Sequence, residues 1–269
     1  MVNSLCGQRG MSLVSLMVAS LIGLFIIGAA LQMYSNSQQT FKARQAISAA
    51  AENSRFAIAD MRRMIVMAGR GMEGSGANDK NIHTTFTTRA GSVLNLTDGG
   101  TTGSDAIHFR MAQGQDCLGS KISRKKNSKG IWVGTVTRIR FFVQPNADGI
   151  GELMCQVNDD PAQPLVSGIE LLKFLYGVDT TDDNSANEYL TAAEINAKLG
   201  ANPSIWEEIV SVRVGVVASS AEFIIPGGRR IIGTAPNISV LQGVYTPPDN
   251  ARSYRSSTGT VALRNLKLQ

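Results

Sequence analysis

The sequence predicts an α+β fold, with one long N-terminal helix, apolar then amphipathic, packed on a mainly antiparallel β-sheet head. Three observations predict it. Residues 11–31 run without a charge, residues 32–68 contain neither proline nor glycine, and beyond Gly71 apolar residues begin to alternate with polar ones.

The first of these sets a length. At about 1.5 Å per residue, an uncharged helix over 11–31 crosses the roughly 30 Å hydrocarbon core of a bilayer. Arg9 precedes the run and no acidic residue appears before Glu52, which favours an orientation with the N-terminus inside. A secretory signal has a shorter apolar run and a small-residue cut site; here a polar, helix-forming stretch follows Leu31 directly. Cys6 has no apolar segment before it, so it does not read as a lipoprotein cysteine.

The second observation extends the helix. With no breaker before Gly69, the helix entering the bilayer continues beyond it. Ile47, Ala51, Ile58, Met61, Ile65 and Ala68 advance at helical spacing and predict one apolar stripe, with Gly69 as the stop.

The third predicts the head. Residues 106–111, 135–144, 152–157, 169–176, 209–218 and 260–268 read as strands. Val210, Val212, Val214 and Val216 alternate with Ser211, Arg213 and Gly215, the pattern of a strand with one buried face, and Ile139, Phe141 and Val143 share a face in the same way. Thr191-Ala192-Ala193-Glu194 fits a capping box opening a short helix. The Gly-, Asn-, Asp- and Ser-rich stretches 71–81 and 180–187 read as surface loops.

Composition agrees with a folded chain: 43% of the 269 residues are apolar and 17% charged. A net charge of +5 is small for this length and does not call for nucleic acid. The densest basic run, Lys121, Arg124, Lys125, Lys126 and Lys129, has no aromatic residue to stack on a base and reads as a solvated loop. Of three cysteines, Cys117 and Cys155 lie downstream of the apolar run. In an exported head they can form a disulfide, the alternative being two buried free thiols.

Few residues suggest chemistry. Gly69-Arg70-Gly71-Met72-Glu73-Gly74 matches a dinucleotide fingerprint in spelling but follows a helix where that motif needs a strand. His83 and His108 are the only histidines; neither belongs to a catalytic motif, and His108 reads as a satisfied structural histidine in a strand. Asp179, Asp182, Asp183, Asn184 and Glu188 make an oxygen-rich loop that could take calcium, although its spacing departs from the EF-hand and a solvated acidic turn is the plainer reading. No enzyme activity, catalytic residue or other cofactor is expected.

Gln8-Arg9-Gly10-Met11-Ser12-Leu13-Val14 resembles the prepilin cleavage site that opens type IV pilin stalks. The resemblance implies that residues 1–10 are a leader, that a prepilin peptidase cuts between Gly10 and Met11, and that the new N-terminus is methylated. Met11 stands where phenylalanine is usual, and Ser15 where the family carries a glutamate at the fifth mature position. That glutamate is thought to neutralise a neighbouring subunit's α-amino group in the membrane; a serine cannot. The segment 51–61 with Ala68-Gly69, together with 164–170, Phe174, 176–179 and 260–265, resembles PilW-type minor pilins.

That resemblance implies four segments: leader 1–10, transmembrane half-stalk 11–31, amphipathic half-stalk 32–69 and β-rich head 70–269. It also implies a minor pilin that helps initiate type IV pilus assembly at or near the filament tip. The expected location is the bacterial inner membrane, with the head periplasmic, and then the pilus. Expected partners are other minor pilins, the major pilin, the prepilin peptidase and the inner-membrane assembly platform. The alternatives are a minor pseudopilin of a type II secretion system, which shares the cleavage site and stalk, and an exported enzyme on an uncleaved anchor, which would need a catalytic constellation that the sequence lacks.

Overall fold

The computed structural model describes residues 13–71, 86, 96–126, 130, 132–202, 204–220, 236–248 and 252–263. The expectations placed on Cys6, Arg9, Gly10, Met11, His83, Lys129, Arg264 and Asn265 fall outside these residues. The chain divides into two compact units, Met1–Gln45 and Ala46–Gln269.

The described part of the first unit is the beginning of helix α1, Leu13–Ile65. Leu13, Leu16, Phe25 and Leu31 are among its exposed apolar side chains. Within this run Ser20 Oγ donates to Met17 O at 2.8 Å. Small and branched apolar residues without a proline sustain the helix, as the sequence predicts.

In the second unit α1 turns amphipathic; the predicted stripe is buried at Met61, Ile65 and Ala68 but not at its start. Ala46, Ala50, Ser54, Ala57, Met61, Met64 and Ile65 are buried, whereas Ile47 is 39% exposed and Ala51 and Ile58 are only half-buried. The centre of contact is rotated toward the small residues because the sheet approaches the helix closely. Ser54 Oγ and Ser257 Oγ lie 3.0 Å apart, and a Cβ on Gly259 would come within 3.0 Å of Ile58 Cγ2.

The helix ends at Ile65, four residues before the predicted stop, with Arg62 and Arg63 in the last turn, where positive charge suits the carbonyl end of the dipole. The chain then tightens into turns, with Met67 N bonded to Met64 O and Ala68 N to Ile65 O, both at 3.0 Å. Gly69 and Gly71 take φ of 78° and 71°, left-handed conformations open to glycine. Gly69 N donates to Arg110 O and Ala112 N to Arg70 O, each at 2.8 Å, so the described start of the fingerprint spelling, 69–71, is a turn laced to the β1 region.

The head holds two four-stranded antiparallel sheets. Strands β1 (Ile107–Met111), β4 (Thr137–Pro145), β5 (Gly151–Val157) and β6 (Gln163–Ser167) form one, in the order β1-β4-β5-β6. Strands β7 (Ile169–Val178), β8 (Glu188–Leu190), β9 (Ile209–Ser219) and β12 (Tyr254–Ala262) form the other, in the order β12-β9-β7-β8. Two hairpins accompany them, β2 (Arg124–Lys126) with β3 (Trp132–Gly134), and β10 (Ile238–Val240) with β11 (Gly243–Tyr245). The basic run predicted as a loop thus contains a strand, exposed throughout and held by backbone pairing to β3. The last predicted strand begins six residues early, at Tyr254, because Ser and Thr pair with β9 as readily as the apolar residues after them.

One core joins α1 to both sheets: Met61, Met64 and Ile65 meet Ile107, Phe109, Phe141 and Leu153 from one sheet and Phe174, Tyr176, Val212 and Val214 from the other. Strand β9 departs from the one-sided reading. Val212, Val214 and Val216 are buried in that core, and Val217, on the opposite face, is buried with Leu171 and Val240 under the β10–β11 hairpin. Gly215 faces Val240 and Leu241 so closely that a Cβ would meet Val240 Cγ2 at 2.7 Å. Helix α2, Ala192–Lys198, carries the predicted capping box: Glu194 N donates to Thr191 Oγ1 at 3.2 Å and Thr191 N to Glu194 Oε2 at 2.7 Å.

Candidate assembly surfaces

The membrane-compatible surface is the apolar start of α1, taken by itself. It is long and apolar enough to cross a bilayer, and none of that span is buried within the molecule. Ser15 lies near its beginning and is exposed. No acidic residue stands in the helix's first turn, so among the described residues the polar side chain near this end is the Ser15 hydroxyl.

In the head, Cys117 and Cys155 are joined by a disulfide with Cα atoms 6.5 Å apart. Cys155 sits on β5 opposite Phe141 and is fully buried. Cys117 is positioned by the turn after β1, in which Asp116 Oδ1 accepts the N–H groups of Leu118 and Ser120 at 2.9 Å. The bond therefore pins a long loop to the centre of a sheet.

The acidic loop is organised around its own backbone. Asp179 accepts N–H bonds from Asn184 at 2.7 Å, Thr181 at 3.1 Å and Asp183 at 3.3 Å. Burial acts to raise its carboxyl, but these backbone donors outweigh burial and hold it below the usual carboxylate range. Asp183 Oδ1 accepts from Ser185 N at 2.8 Å, and Glu188 pairs with Lys198 at 2.6 Å. The structure does not bring Asp179, Asp182, Asp183 and Glu188 together as a ligand set, and among the described residues no group of three or more His, Cys, Asp or Glu could hold a metal.

Sequence reasoning missed the most polar part of the interior. Lys173 on β7 pairs with Asp105 at 2.6 Å, both side chains being nearly buried, and also donates to Gly100 O. Asp105 further accepts Gly99 N and Phe174 N at 2.9 Å, while its own N–H donates to Leu172 O at 2.9 Å. The segment before β1 is thereby stitched to the free flank of β7. Burial raises the Asp105 carboxyl above its ordinary value against the opposing pull of Lys173 and the two backbone donors. A cleft of 180 Å³ opens beside the pair, lined in part by Asp98, Thr191 and Gln242. A charged residue between Leu172 and Phe174, inside an apolar run, was the signal available in the sequence.

His108 is also unlike its expectation. It faces Arg140 across the β1–β4 ladder, and its Nε2 is buried without a hydrogen-bond partner. Burial, and then the charges of Arg140 and Arg138, lower its pKa to about 4. It is a neutral imidazole beside the guanidinium groups of Arg140 and Arg138.

Residues 140–265 match the family model PilW, type IV pilus-assembly protein W. That stretch of the chain is PilW-like. It runs from within β4 to the end of β12, including the Lys173 strand and the hairpin over β9, and spans a little under half of the chain. A search of curated proteins finds no match. Among solved structures, a type IV-like pilin from Thermus thermophilus aligns over 80% of this chain and 96% of its own, with 11% identity and a TM-score of 0.40.

Proposed function

We propose that this chain is a minor pilin that takes part in initiating type IV pilus assembly, at or near the filament tip. The observation that carries the reading is the coupling, in one polypeptide, of an exposed, uncharged apolar helix to a PilW-like head. The apolar part of α1 holds the subunit in the inner membrane and then packs among other stalks, while the head remains outside, where an oxidising compartment permits the Cys117–Cys155 bond. The work is non-covalent packing. Its partners are other minor pilins, the major pilin and the assembly platform, after a prepilin peptidase has cut between Gly10 and Met11.

Ser15 supports a terminal place. A hydroxyl can bond to a helix carbonyl but cannot neutralise an incoming subunit's ammonium group within the membrane. A chain that received neighbours repeatedly would need that carboxylate; one used once, at an end, would not. Intact-mass analysis of the protein from its host tests the processing step. A chain beginning at N-methylated Met11 is expected, and a mature chain retaining residues 1–10 or cut near Ala30 would contradict it.

A further inference from the structure

Four strands lie at the outer edges of the two main sheets, and three of them carry features that discourage pairing. Strand β8 has only three residues, β6 contains Pro164 and meets β5 through a register shift, and β1 is short and carries Arg110. Strand β12 is longer and more regular, and shares with β1 only the presence of one arginine. It runs nine residues, pairs with β9 without a register shift, contains neither proline nor lysine, and has Arg255 as its one charge.

Register fixes which of its backbone groups point outward. Leu263 N donates to Val210 O and Ser220 N to Ser253 O, both at 2.8 Å. Bonding alternates along an antiparallel pair, so odd-numbered residues face β9, while Ser256, Thr258 and Thr260 direct N–H and C=O away from the sheet. Among the described residues, these outward groups meet no backbone partner.

A second observation lies beside the first. The contacts Ser54–Ser257 and Ile58–Gly259 place α1 under β12, and Asn53 beside Gly168 marks the opposite flank of the helix. Ile47, Ala51 and Ile58 therefore lie on the β12 side of α1. They are left exposed or half-buried as an apolar ridge next to the open edge, bordered by the exposed Arg55, Arg62 and Arg255. A strand added about 4.8 Å beyond β12 would lie over this ridge.

We propose that the edge of β12 and the Ile47–Ala51–Ile58 ridge form a strand-addition site for an extended segment of a different polypeptide. That segment is uncharged along its pairing length, apolar at alternate positions facing the ridge, and flanked by acidic side chains that meet the bordering arginines. The backbone bonds supply affinity and the ridge supplies register. The site is defined by the edge and the ridge and does not depend on the pilus reading.

The test places a photo-reactive benzophenone amino acid at Thr260 of the full chain in its host and identifies the linked peptide by mass spectrometry. Thr258→Pro removes one outward N–H and leaves the β9 ladder intact. Ile47→Asp charges the ridge at an exposed position and covers the case in which the proline variant fails to fold. The expected result is a link to an extended, alternating segment of another protein, reduced about tenfold by either variant, as the loss of one backbone bond and of apolar contact would give. Thermal unfolding of the purified full chain should be unchanged in Ile47→Asp. Links within the same chain, links to a second copy, or linkage unaffected by both variants would overturn the proposal. If the linkage forms as described in a chain absent from pili, the site stands and the pilus reading fails.

Discussion

Asp105→Ala should be among the most damaging single changes in the head. It removes the acceptor for three donors at once: Lys173 Nζ at 2.6 Å and the N–H groups of Gly99 and Phe174 at 2.9 Å. Gly100 O alone then faces an ammonium whose side chain is 6% exposed. Removing one partner of a buried pair costs about 3–5 kcal/mol, much of it the burden of the charge left behind. Replacing Lys173 with Met in the same chain removes that charge while keeping the length of the side chain. The double variant should therefore recover about 2 kcal/mol relative to Asp105→Ala alone. Urea unfolding of the full chain in detergent, followed by near-ultraviolet circular dichroism, measures both differences. The reasoning fails if Asp105→Ala unfolds within about 1 kcal/mol of the parent, the size of an ordinary single hydrogen bond. It fails equally if the double variant is no more stable than the single one.

Three further outcomes follow from the structure. Replacing Cys117 and Cys155 by serine opens a loop of 38 residues and should lower head stability by about 4 kcal/mol in the chain-entropy model, measured by the same unfolding experiment. Ala50 is fully buried where α1 meets the sheet, so Ala50→Leu should cost about 1–3 kcal/mol through overpacking, whereas Ile47→Leu should change stability by less than about 0.5 kcal/mol. For His108 the folded pKa of about 4 lies below the ordinary 6.5, so between these values the unfolded chain binds more protons and stability rises with pH. The contribution is complete above 6.5 and lost as pH falls toward 4. His108→Phe should remove a pH-dependent contribution of about 1–2 kcal/mol between these values, after allowing for the side chain's partial exposure.

The parts of the fold legible in the sequence were those set by local pattern. The uncharged run and the absence of breakers gave α1 from Leu13, Thr191 and Glu194 gave α2 its cap, and the two downstream cysteines gave the disulfide. What escaped depended on the distance between elements. Ile47, Ala51 and Ile58 outweigh Ala46, Ala50 and Ser54 in hydrophobicity, yet the small residues take the interface because Ser257 and Gly259 let the helix come close. The second face of β9, with Gly215 and Val217, read as the unburied one because the hairpin that covers it, Ile238 to Tyr245, is too short to announce itself. The Asp105–Lys173 pair joins residues far apart in sequence and leaves only a lone lysine in an apolar run. The acidic loop left a calcium site open beside the plainer reading of a turn because a sequence counts carboxylates without showing that backbone N–H groups occupy Asp179.

The central claim is that this chain is a pilus subunit used at one end of the filament. Gold labelling of an epitope on the head, in pili sheared from the host and imaged by electron microscopy, tests it most directly. The account predicts label on filaments, restricted to one end and at low copy. Regular label along the shaft would contradict the terminal position, and filaments without label in cells that export the processed protein would contradict the subunit role.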